Sequence, residues 1–168
     1  MTRTIERSID VEVPASIAFS TWTHFELIPY FMDGVEDIQP IDDRHAHWRA
    51  RIFGVAEEWE SEITEQVPDE RIAWRSRSGT PHVGDVTFHP LSDARTRVML
   101  RISYEPRGLG ERIGASLGLL DRRVQSDLRG FKAFVERHGS RFEPMATRPA
   151  TSRLTGSLAS DRTRGEGS

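Results

Sequence analysis

The chain has 168 residues, 36% of them hydrophobic and 29% charged, enough for one packed domain with a polar appendage. Its formal net charge of −3 leaves no basic excess for nucleic acid or an anionic membrane surface. The absence of cysteine excludes disulfides, thiolate nucleophiles and cysteine metal sites. The same absence fits a reducing cytoplasm, where the protein is expected. An N-terminus without an apolar signal core, and no apolar run near the ~18 residues of a membrane span, give no expectation of stable membrane insertion.

Residues 4–13 alternate, with Ile5, Ile9, Val11 and Val13 on one face and Glu6, Ser8, Asp10 and Glu12 on the other, which is the pattern of a half-buried strand. Arg7 interrupts the apolar set. Pro14 ends the strand and suits the first turn of a helix, to which Ile17, Ala18, Phe19 and Trp22 give an apolar face. A second short helix covers residues 25–31, broken at Pro29. Gly34 turns the chain into strands at residues 35–41, 47–53, 57–67, 71–78, 83–88 and 97–104. Gly54, Pro68-Asp69-Glu70, Gly79-Thr80-Pro81 and Pro90 to Ala94 punctuate them. Consecutive strands with short turns form an antiparallel sheet.

Between Leu109 and His138 the apolar residues Leu109, Ile113, Leu117, Leu120, Val124, Leu128, Phe131 and Val135 recur in steps of four and three, one stripe of a long helix. At ~1.5 Å per residue it measures roughly 40 Å, and its stripe must lie on the sheet. Gly110, Gly114 and Gly118 recur beside the stripe at a cost of about 1 kcal/mol each against alanine, implying either close packing or a loose first half. Gly139 reads as the C-terminal cap. Residues 140–168 are rich in Ser, Thr, Arg, Gly and Pro and bury too little to offset their ordering entropy. They are expected to form a disordered tail behind a domain of residues 1–139.

One face of the strands carries Trp48, Ala50, Ile52, Trp59, Ser61, Ile63, Ile72, Trp74, Ser76, Val86, Phe88, Val98, Leu100, Ile102 and Tyr104. The other carries Arg49, Arg51, Glu58, Glu60, Glu62, Arg75, Arg77, Arg97 and Arg101, a solvated face with cross-strand charge pairs. The first face meets the helix. Its mixture of tryptophans with Ala and Ser either interlocks as a filled core or leaves an apolar hollow, and the pattern alone does not choose.

Several stretches stand out together: Val13-Pro14-Ala15 with Phe19 and Trp22, Ile28-Pro29-Tyr30-Phe31-Met32, Trp48 with Ile52-Phe53-Gly54, and Glu58-Trp59-Glu60-Ser61-Glu62-Ile63. Arg71-Ile72-Ala73-Trp74-Arg75-Ser76, Gly84-Asp85-Val86-Thr87-Phe88, Thr96-Arg97-Val98, Tyr104-Glu105-Pro106 and Asp127-Leu128-Arg129-Gly130-Phe131-Lys132 complete the set. Together they resemble the SRPBCC (START-like) superfamily, in its polyketide cyclase/dehydrase and coenzyme Q-binding branch. The resemblance implies an α+β helix-grip fold, an antiparallel sheet wrapped around the C-terminal helix with a cavity between. The family fold hosts carriers and enzymes alike, so it does not name a reaction.

In that cavity, Trp48, Trp59, Trp74, Phe88, Leu100, Ile102 and Tyr104 from the sheet and Ile113 and Leu117 from the helix are expected to line a ligand site, with Arg7 as a polar anchor. The expected function is binding or carriage of a hydrophobic small molecule such as a polyketide, isoprenoid quinone or lipid. The alternatives are a polyketide aromatase/cyclase or dehydratase acting in the same cavity, and an interaction protein without a ligand. The inward strand set contains no ionisable side chain apart from Arg7 and Tyr104 near strand ends, so binding without turnover is expected, with no catalytic residue. His45 and His47 lack a third metal ligand, Ser61 and Ser76 lack an activating histidine, and no phosphate loop or dinucleotide fingerprint is present, so neither metal nor cofactor is expected.

Overall fold

The computed structural model describes residues 2–52, 54–105 and 117–142. Alternating apolar residues build one seven-stranded antiparallel sheet from β1 (Arg3–Val11), β2 (Val35–Pro40), β3 (His45–Ile52), β4 (Val55–Val67), β5 (Arg71–Ser76), β6 (His82–Ser92) and β7 (Arg95–Tyr104). The spatial order is β1-β7-β6-β5-β4-β3-β2. Between β1 and β2 the chain passes through α1 (Ala15–Thr23), a 3-10 turn (Phe25–Leu27) and α2 (Ile28–Phe31). The C-terminal helix, α3 (Leu117–His138), crosses the inner face of the sheet and packs against β1. No described helix is long and apolar enough to cross a membrane.

Local chemistry explains where the strands differ from expectation. β3 starts at His45 because the Asp42 side chain accepts the backbone N–H groups of both Arg44 and His45, each at 2.8 Å, and closes the turn early. The expected turn at Pro90 to Ala94 is mostly strand: Pro90 pairs with Thr96 and Ser92 with Arg95, around a bulge where a residue without an N–H is tolerated. On the outer face the expected charge pairs form. Glu62 accepts Arg75 at 2.9 Å and Arg77 at 2.8 Å, Asp85 accepts Arg101 at 2.9 Å, and Asp10 accepts Arg97 at 2.8 Å.

The apolar stripe of α3 lies on the sheet through Leu120, Val124, Leu128, Phe131 and Val135, all buried. Phe131 is fully buried, edge-on to Trp22 at 4.9 Å and to Phe31 at 5.2 Å between ring centroids. Leu109 and Ile113, with Gly110 and Gly114, lie outside the described residues, and Leu117 is the first residue of α3. Gly118 is exposed; the close approach falls instead at Gly130, where a Cβ would collide with the backbone carbonyl of Phe31 and so would push α2 off α3. Gly139 is not a left-handed cap. It opens a 3-10 turn (Gly139–Phe142), and the methyl of Ile17 on α1 occupies the space a Cβ would need. The helical structure thus continues past residue 139, while residues 143–168 of the expected tail lie outside the described residues.

Candidate ligand cavity

α3 packs on the sheet along β1, and a cavity of about 230 Å³ lies between helix and sheet. Its wall is mostly apolar side chains from β3, β4, β5 and β7, with Trp22, Phe25, Ile28 and Met32 closing one side and Leu120 and Val124 of α3 another. The volume falls just under the ~300–1,000 Å³ usual for drug-sized ligands, so a compact molecule fits.

The tryptophans are held rather than loose. Trp48 and Trp59, directly paired across β3 and β4, stack at 5.6 Å and 14°. The Trp48 indole N–H donates to Ser61 Oγ at 2.8 Å, which satisfies its one polar atom. Trp74 lies over its cross-strand partner Gly84, where any Cβ would meet the indole ring. The glycine is what allows that ring to lie flat against the sheet.

Of the residues expected at the site, Trp48, Trp59, Trp74, Leu100, Ile102 and Tyr104 line the cavity. Phe88 does not. It is 3% exposed and packs edge-on against Phe19 of α1 at 5.6 Å, because α1 covers that end of β6. Arg7 does not line it either. Its guanidinium makes a two-pronged bond to Asp121 of α3, 2.6 Å for each prong, because the helix passes over β1 and claims that position. Ile113 lies outside the described residues, and no side-chain placement is described for Leu117.

The expectation of a wall without ionisable side chains is overturned. Glu57, His82, Arg123 and Asp127 all line the cavity. Glu57 is 6% exposed and shares the inner face of β4 with Trp59 and Ser61; beginning the strand at Glu57 itself already gave that parity. His82 precedes the position where β6 was expected to start, and alternation from Val86 through Gly84 reaches it. Asp127 and Arg123 flank the helical stripe, and the Arg123 guanidinium packs on Gly34, whose φ of 94° permits that turn.

Burial pushes the Asp127 carboxyl up to about 7, with Arg123 opposing the rise and Asp33 adding to it. Burial lowers the His82 imidazole, against the opposing hydrogen bond to the Thr80 carbonyl, and raises the Tyr104 phenol. At neutral pH the wall therefore offers a carboxyl poised to exchange a proton, a neutral imidazole and a neutral phenol. His45 and His47 each face a carboxylate: Asp42 lies 2.8 Å from His45 Nδ1 and Glu58 3.7 Å from His47 Nε2. Among the described residues, His, Asp and Glu nowhere gather as a metal-binding group of three.

A seven-stranded antiparallel sheet gripping a long C-terminal helix around an apolar cavity defines a helix-grip, START-like protein. Residues 11–132 match the model of the family described as polyketide cyclase / dehydrase and lipid transport, and the chain belongs to that family. It is 44% identical over 136 residues, 80% of this chain and 91% of the relative, to an uncharacterized 17.2 kDa protein of Streptomyces lincolnensis. The fold is shared with the Zhui aromatase/cyclase of a Streptomyces species, at a TM-score of 0.69 and 17% identity over 82% of this chain and 96% of that one. It is shared too with a START superfamily protein from Mycobacterium smegmatis, at a TM-score of 0.64 and 11% identity over 82% and 97%.

Proposed function

We propose that this protein binds a compact, planar, mostly apolar molecule in the cavity between sheet and helix. The carrying observation is the hollow of about 230 Å³ walled by Trp48, Trp59 and Trp74. Apolar area removed from water contributes about 25 cal/mol per Å², and fixed indole faces add stacking to that. Ring-sized ligands such as quinones or aromatic polyketides suit the slot. Titration with 1,4-naphthoquinone should quench tryptophan fluorescence saturably, and Trp74→Ala should weaken binding by roughly tenfold. Quenching that rises linearly without saturation, equally in both proteins, would contradict the proposal.

A second reading has its own support in the ionisable groups of the wall. A cyclase or dehydratase must move protons beside a carbonyl, and a carboxyl titrating at about 7 with a neutral imidazole in one cavity can do so. The fold shared with an aromatase/cyclase agrees with this reading. On it, a poly-β-ketone yields a regiospecific ring product, slowed by Asp127→Asn or His82→Phe and indifferent to Arg7→Ala. Absence of that product leaves binding as the function.

A further inference from the structure

The β6–β7 register places His82, the first residue of β6, directly opposite Tyr104, the last of β7, and both line the cavity. His82 Nδ1 lies 3.0 Å from the Thr80 carbonyl oxygen. A carbonyl only accepts, so Nδ1 carries the proton and Nε2 keeps the lone pair in the neutral ring. The ring is also fixed in place. Its own backbone N–H donates to Ser76 Oγ at 2.9 Å, and its edge meets Trp59 at 5.9 Å and 82°. Tyr104 is 5% exposed and brings a hydroxyl that can donate or accept. The acceptor at this end of the cavity thus has no freedom to become a donor by tautomer exchange, since that would break the bond to Thr80.

We infer that His82 and Tyr104 form a specificity subsite for a hydroxyl-bearing aromatic ring, with His82 Nε2 accepting the ligand's O–H and the Tyr104 hydroxyl bonding the same oxygen. The inference rests on the cavity being a ligand site. A ligand without a donor leaves Nε2 and the phenol desolvated against carbon, which disfavours it. A site built to hydrogen-bond a hydroxyl discriminates strongly against the analogue lacking it.

Calorimetric titration of the full chain with 2-naphthol and with 2-fluoronaphthalene, nearly identical in shape but without the donor, tests this directly. Wild type should bind 2-naphthol at least about tenfold more tightly. His82→Phe should bring the two within about twofold while 2-fluoronaphthalene still binds. Should that variant lose its circular dichroism spectrum, the ¹⁵N resonance of His82 Nε2 in wild type serves instead. It should move upfield with 2-naphthol and stay with 2-fluoronaphthalene, and an unmoved resonance would overturn the subsite. Equal affinity of wild type for both ligands overturns the subsite but leaves the cavity reading standing. No binding of either overturns both.

Discussion

Asp127 is the residue where burial and charge conflict most openly. It is held among apolar side chains with Arg123 one turn before it, yet its carboxyl is raised from 3.8 to about 7. Desolvation therefore outweighs the nearby cation. Between about pH 4 and pH 7 the native chain keeps a proton that the unfolded chain has released. Stability from this group is therefore lost as pH rises through that window, by up to about 1.4 kcal/mol per pH unit, and is constant above it. Asp127→Asn removes the titration. Urea unfolding near pH ~5 and pH ~8 should show the variant gaining on wild type as pH rises, whereas a pH-independent difference would mean the carboxyl titrates normally. Single polar residues at the margin of an apolar pattern are also where sequence reading was weakest. Asp127 and Arg123 flank the helical stripe rather than interrupting it, and a carboxylate one position off a stripe has the same spacing as a solvated one. Glu57 was legible by strand parity alone.

At the scale of elements, the periodicities carried the sheet and helix because each buries one face and hydrophobic spacing records that face directly. They did not show which stretch of the inner face is core and which is cavity. Phe88 and Trp74 have the same parity, but α1 covers Phe88 while Trp74 lines the cavity, a difference made by elements distant in sequence. Arg7 is similar: its position on the inner face was right, while its partner Asp121 is 114 residues away. The contact between α2 and α3 depends on Gly130. Gly130→Ala gains about 1 kcal/mol of helix propensity but drives a methyl into the Phe31 carbonyl, and such overpacking costs ~1–3 kcal/mol. A lowered urea midpoint is expected; a raised one would mean that α2 can move away from the helix without loss.

In the whole molecule, helix and sheet are joined along β1 and around Phe131, and the hollow left between them is the proposed ligand site. Fixed tryptophans, a glycine beneath Trp74 and polar groups of defined protonation make it a shaped site. The most direct measurement is calorimetric titration of 2-naphthol into wild type and into Ile102→Trp, which fills the cavity from β7. Ligand binding in the cavity predicts saturable one-to-one binding to wild type with a negative heat-capacity change, and its loss in a variant that keeps its circular dichroism spectrum. Equal binding to both proteins, or none to wild type, would contradict it.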